Sequence, residues 1–177
     1  MRYFIAHLVK NHAAEYHRAL VQYIAKRFDL KISAGYFPTH ITLKAPFETQ
    51  DITEAKDVLE KFTATHHALP FAVRGFGHFQ NNVIFLDVEL PQETSRAVKE
   101  LQWALNSVPE IQWGEHEPLE NLHITVAKKD IIKKFDNIWG YIEEKDIPQF
   151  DLLFDNIALL RFEDDVWIVD SVYALSS

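Results

Sequence analysis

A four-residue pattern that occurs twice constrains this chain more than any other feature: His40-Ile41-Thr42-Leu43 returns as His123-Ile124-Thr125-Val126. Side chains alternate across a strand, so in each copy the histidine and threonine share one face and the two apolar residues share the other. The apolar pair fixes the register, because a slip of one residue buries the imidazole and exposes the isoleucine. Nine histidines and eight threonines in 177 residues give roughly 0.4 His-x-Thr matches by chance. Two matches that also agree at both apolar positions point to two strands built for one task.

The surrounding elements repeat too. Arg2–Val9 reads as a strand and is followed by a helix from the cap candidate Asn11 to Phe28, with Tyr16, Leu20, Ile24 and Phe28 at a four-residue spacing. Pro38–Lys44 alternates like a strand, and a helix starts near Asp51, where Glu54 gives a capping-box-like signal. Phe71–Phe79 and Val83–Glu89 form a hairpin pattern, and Pro91 opens a third helix. An acidic loop from Pro109 to Glu120 precedes the second tetrad strand, and Asp130 caps a fourth helix. Two closing strands, about Asp151–Phe162 and Val166–Leu175, meet at a turn containing Asp164 and Asp165. The order reads as one block of strands and helices written twice, so an α/β chain with internal duplication is expected.

Composition narrows the chemistry. The chain has no cysteine, which removes disulfides, thiolate nucleophiles and Cys-based zinc sites and is compatible with a reducing cytoplasm. No apolar run is long enough to span a bilayer and no signal-like leader is visible. The formal net charge of −8 lacks the basic balance that binding long nucleic acid requires. If the chain handles nucleic acid, a small nucleotide or a short RNA end is therefore the expected partner rather than a long duplex; no membrane partner and a monomeric chain are also expected.

Histidine, with a free pKa near 6.5, serves as general base or general acid at neutral pH. Two imidazoles on opposite sides of one phosphorus divide those roles, and no cofactor or metal is needed. A threonine hydroxyl beside each imidazole donates to the phosphoryl oxygens where charge builds. Strand parity places Lys44 on the face of His40 and Thr42, where its ammonium would bind phosphate. Lys128, after the second tetrad, has the wrong parity unless the strand ends or twists. The candidate site is thus His40 and His123 as catalytic groups, with Thr42, Thr125 and Lys44 as phosphate ligands.

With these tetrads, the duplicated element order and the Gly-Phe-Gly-His-Phe stretch at 75–79, the chain resembles the two-histidine (2H) phosphoesterase superfamily. Its members include the bacterial 2'-5' RNA ligase/cyclic phosphodiesterase enzymes. The resemblance covers essentially the whole chain. It implies a single domain over residues 1–177 with an α/β (α+β) fold: two pseudo-symmetric lobes, antiparallel-rich sheets and flanking helices around a central groove. It also implies hydrolysis or ligation at 2',3'-cyclic phosphates or 2'-5' phosphodiester linkages. By motif match, His40 and Thr42 take the first tetrad's roles, and His123 and Thr125 the second's. Many relatives place proline before the second histidine; here Leu122 stands there. The acidic loop with Glu110, Glu115, Glu117 and Glu120 would repel a long polyanion if it rims the groove.

Two other classes fit part of the pattern: a protein that binds nucleotides or RNA ends without turning them over, and a metal-dependent hydrolase using His123 with His116 and nearby carboxylates. Arg74, Phe47 and Trp113 read as framework or surface, His12, His17 and the His66-His67 pair as surface, and His7 and His78 as packed or half-exposed.

Overall fold

The computed structural model describes residues 1–31, 37–114, 117 and 121–177. Its elements run β1 (Arg2–Leu8), α1 (Asn11–Arg27), β2 (His40–Glu48), α2 (Thr53–Thr65), β3 (Leu69–Phe79), β4 (Val83–Glu89), α3 (Gln92–Asn106), β5 (His123–Lys128), a 3-10 turn (Ile132–Lys134), α4 (Phe135–Glu143), β6 (Gln149–Phe154), β7 (Asn156–Glu163) and β8 (Val166–Ala174). The strands make two four-stranded antiparallel sheets, ordered β2-β1-β7-β8 and β5-β4-β3-β6. The result is the mixed α/β arrangement that the sequence implies.

The duplication is spatial in a different way from the one the sequence suggests. The equivalent units are β1-α1-β2 and β4-α3-β5, each an antiparallel pair joined by a helix. The first sheet is completed by β7 and β8 from the end of the chain, and the second by β3 and β6. What reads as one strand over 151–162 is two, broken at Asp155, and its halves belong to different sheets. Asn156 makes the crossing: its side-chain oxygen accepts from Leu8 N–H at 3.0 Å and its amide donates to Leu8 C=O at 3.0 Å. The side chain thereby supplies a ladder rung where the backbone changes sheets.

One continuous apolar core draws on both sheets and on the helices, including Ile5, Leu20, Ile24, Ile41, Leu43, Leu59, Ile84, Leu86, Leu101, Ile124, Val126 and Ile138. Ile41, Leu43, Ile124 and Val126 are the apolar halves of the tetrads, all buried. They therefore anchor both tetrad strands from behind, as strand alternation dictates.

Lys44 does not follow that alternation. Thr42 pairs with Ala6 but Lys44 pairs with Ile5, so Leu43 is an extra residue on its strand. Such a bulge reverses the parity of the residues beyond it. It turns Lys44 away from the face of His40 and Thr42 into the interior, where it is 1% exposed. Its ammonium contacts Glu117 Oε2 at 2.8 Å and Oε1 at 3.0 Å, donates to Ala45 C=O at 3.0 Å, and lies 4.9 Å from the Trp113 ring centre and 5.5 Å from that of Phe47. The expected phosphate ligand is thus a structural cation, and Glu117 points inward rather than repelling a substrate. Glu115, His116 and Glu120 lie outside the described residues.

A buried charge left without its partner is costly, whereas removing both charges is nearly neutral. Glu117→Ala is expected to lower unfolding stability by about 3–5 kcal/mol, and Lys44→Met in the same chain to recover most of that loss. Urea denaturation of the single and double variants measures both; equal losses in the two show that the pair is not what matters.

Candidate active site

β2 and β5 are edge strands of different sheets, and they lie against each other. That contact brings the tetrads together. His40 and His123 are each half-buried, as are Thr42 and Thr125. His40 Nδ1 donates to the Pro38 carbonyl at 2.8 Å, and His123 Nδ1 donates to the Asn121 carbonyl at 2.8 Å. The same bond, to the carbonyl two residues back, fixes both rings. A carbonyl can only accept, so Nδ1 carries the proton, and no described residue engages the Nε2 lone pair of either neutral ring. The charge of His123 acts on His40. Neither threonine hydroxyl is engaged by another described residue.

His17, from α1, joins the two strands. Its Nε2 donates to the Thr125 carbonyl at 2.8 Å, and its Nδ1 accepts from the Thr39 hydroxyl at 2.9 Å. One neutral tautomer satisfies both bonds, and burial holds the ring neutral by lowering its pKa. The sequence places His17 on a helix surface; it is a clamp between the residue preceding one tetrad and the core of the other. No spacing rule connects α1 to both strands, so this role is invisible before folding.

β5 has a bulge at the same place as β2: Thr125 pairs with Phe85 and Ala127 with Ile84, so Val126 is the extra residue. Ala127 is therefore buried, like Lys44, and Lys128 regains the face of His123 and Thr125. Its charge is felt by both His40 and His123. Counting strand parity across an unrecognised bulge selects the wrong lysine.

The rings sit among aromatics. His40 meets Phe37 at 4.4 Å and Phe4 at 5.4 Å between ring centres. His123 meets Phe85 at 4.9 Å and Phe79 at 5.1 Å. Gly77 makes room for the second cluster, because a Cβ there would lie 2.4 Å from the Phe85 ring. This surrounding drives the electrostatics. Burial pushes His40 down to about 4, only partly offset by the Pro38 bond, and the charges of Lys128, His17 and His123 push the same way. Burial also lowers His123; the Asn121 bond opposes it, Lys128 adds to it and Asp87 opposes it. Asp87 stands directly opposite His123 in the β4–β5 register, whereas Leu8 stands opposite His40.

The remaining candidates lie elsewhere. His7 faces the core, 2% exposed, bonded to the Asn156 carbonyl and held down to about 4 by burial. His78 packs against Phe135 and Trp139. Phe47 is buried, and Arg74 pairs with Asp151. Among the described residues no three His, Asp or Glu converge as a metal site, and no helix is long and apolar enough to cross a membrane.

The sequence profile of the 2'-5' RNA ligase superfamily matches residues 10–166. A Bacillus pumilus protein that carries the provisional name phosphoesterase is 26% identical over 163 residues, 88% of this chain and 91% of its own. A Staphylococcus aureus protein of the same provisional name is 28% identical over 158 residues, 85% and 88% of the two chains. In fold, a Thermus thermophilus protein matches with a TM-score of 0.66 at 19% identity, covering 99% of this chain and 98% of its own. E. coli LigT complexed with 3'-AMP matches with 0.60 at 18% identity over 99% and 98% of the chains. Kluyveromyces marxianus Usb1 with uridine monophosphate matches with 0.55 at 12% identity over 98% of both.

The lowered histidines make stability depend on pH. Above about 6.5, His7 and His40 are neutral whether the chain is folded or not. As pH falls below that value the unfolded chain takes protons that the folded chain refuses until about 4, so stability falls across this window. Histidine NMR titration should place the His40 midpoint near 4, and urea midpoints should drop between pH 7 and 5; a His40 midpoint at 6.5 contradicts the geometry.

Proposed function

Because the chain belongs to the 2'-5' RNA ligase superfamily, we propose that it is a phosphodiesterase acting on 2',3'-cyclic phosphate or 2'-5' linkages of nucleotides or RNA ends by histidine general acid-base catalysis. The observation that carries this reading is the matched pair of imidazoles. Both are fixed by the same backbone bond, both turn Nε2 from the strand face that carries a threonine, and a clamp ties their strands together. Nucleotides in the neighbouring LigT and Usb1 structures support a nucleotide as substrate.

The two lobes are not equivalent, and the difference supports one assignment of the roles. His40, opposite Leu8 and deep among phenylalanines, stays neutral and is the base. His123, opposite Asp87, is the easier ring to protonate and is the acid. A bound phosphate offsets the positive charge of Lys128 and raises both imidazoles, which readies His123 to hold a proton in the complex. His40 Nε2 then takes a proton from water as its oxygen attacks phosphorus. The bond from phosphorus to the 2' or 3' ribose oxygen breaks, and His123 Nε2–H gives that oxygen its proton. Thr42 and Thr125 hydroxyls and the Lys128 ammonium hold the non-bridging oxygens as charge builds there. The scheme regenerates His123 as acid when the proton passes back through solvent.

The purified protein is expected to hydrolyse a nucleoside 2',3'-cyclic phosphate in EDTA. His40→Ala and His123→Ala should each lower kcat by about 10²-fold or more, the range for losing a positioned acid or base. Lys128→Ala should raise KM, and Asp87→Asn should shift the basic limb of the kcat profile to lower pH, because the protonated acid is then lost earlier. Full turnover in either histidine variant defeats the mechanism. Saturable nucleotide binding with no turnover across cyclic and 2'-5' substrates favours a binding protein instead.

A further inference from the structure

On the groove face of the first sheet the structure carries more than the tetrad needs. Along β1, Tyr3, Ile5 and His7 enter the main core, while Arg2, Phe4, Ala6 and Leu8 share the face of His40 and Thr42. There Phe4, Ala6, Ala158 and Leu160 form a second, smaller apolar cluster, with Phe37 and Trp167 half-buried against it. The aromatic rings are continuous: Phe37 stacks on Phe4 at 5.4 Å, Phe4 meets Trp167 edge-on at 4.7 Å, and Trp167 meets Phe162 at 5.1 Å. The ladder ends at Arg2. Register places Arg2 beside Phe162 and Phe162 beside Trp167, and the guanidinium lies 5.8 and 5.7 Å from their ring centres.

Arg2 is exposed and makes no ion pair among the described residues, in a chain whose net charge is −8. A guanidinium held over rings keeps its N–H fork available to an oxyanion. Ala6 stands directly opposite Thr42, and Arg2 is four residues further along the strand, roughly 13 Å away. That exceeds one nucleotide step. The second lobe has Phe79 and Phe85 beside His123 but carries Asn81 near the position equivalent to Arg2; its cations are Lys128 at the end of β5 and Lys129 just beyond it, whose N–H donates to the Asn82 carbonyl.

We propose that the ladder from Phe37 through Phe4, Trp167 and Phe162 to Arg2 is a second subsite, which stacks a nucleobase and binds a further phosphate of a short single-stranded oligonucleotide. The subsite rests on the tetrads binding the reacting phosphate, and it deepens that reading: the substrate is the end of a chain rather than a lone mononucleotide. Stacking on a half-exposed tryptophan is tolerant of base identity, and one arginine on a phosphate adds a salt-dependent contact. The continuous ladder of rings directs the chain out of the groove along the first lobe.

The test uses the full chain carrying His40→Ala and His123→Ala, so that nothing turns over. Binding is measured for an adenylate trimer ending in a 2',3'-cyclic phosphate and for adenosine 2',3'-cyclic phosphate, by fluorescence competition over a salt series. The trimer should bind at least tenfold tighter than the mononucleotide. Arg2→Gln and Trp167→Ala should each erase most of that ratio, and Arg2→Gln should flatten the salt dependence of trimer binding by about one phosphate contact. Arg2→Lys should retain the salt slope. Equal affinity for the two ligands, or a loss in Arg2→Gln that is the same for both, overturns the subsite. Tight, Arg2-dependent trimer binding by a wild-type protein that hydrolyses no phosphodiester leaves the subsite standing and overturns the catalytic reading instead.

Discussion

Two hydrogen bonds from one imidazole hold the two halves of this site in register. β2 and β5 are both sheet edges, so no backbone ladder runs between them. His17 spans the seam, accepting from the Thr39 hydroxyl and donating to the Thr125 carbonyl. In the neutral ring Nδ1 accepts from the Thr39 hydroxyl; a protonated Nδ1 would donate to that oxygen instead, with the hydroxyl turned toward the Ala14 carbonyl 3.5 Å away. Burial keeps the ring neutral. Everything asked of His40 and His123 as a pair depends on a fixed separation between their strands, and this clamp, with the packing of Ile41 and Ile124 behind it, sets that separation.

A second constraint is the bulge at the end of each tetrad. The extra residue, Leu43 in one strand and Val126 in the other, lets the backbone curl and reverses the side-chain parity beyond it. The two strands use the same device for different ends. In β2 the reversed position holds Lys44, buried against Glu117 and the Trp113 ring, so a cation ties Glu117 to the core. In β5 the same position is Ala127, and the next residue, Lys128, is restored to the groove. A duplicated backbone thus carries an asymmetric distribution of charge.

The groove is electrically lean. Aromatic rings surround both imidazoles, and among the described residues the charged groups that act on them, besides other histidines, are Lys128 and Asp87. Apolar walls disfavour a charged imidazole, which leaves His40 available as a proton acceptor at neutral pH, and they strengthen any field a bound phosphate brings. The shape of this wall is set by small details such as Gly77, whose missing Cβ lets Phe85 lie against His123.

The sequence by itself determined the tetrads, their apolar backing and most element positions, because strand alternation and helix spacing are local and leave their period in the residues. It also placed His40, Thr42, His123 and Thr125 as matched pairs. Three things were decided only by the tertiary structure. The 151–162 segment reads as one strand, since an alternating pattern does not say which sheet receives each half; Asn156 and the break at Asp155 settle it. The choice of Lys128 over Lys44 depends on bulges, which insert a residue without any mark in composition. The role of His17, and of Asp87 across from His123, depends on contacts between residues far apart in the chain, and only the approach of two sheet edges creates them.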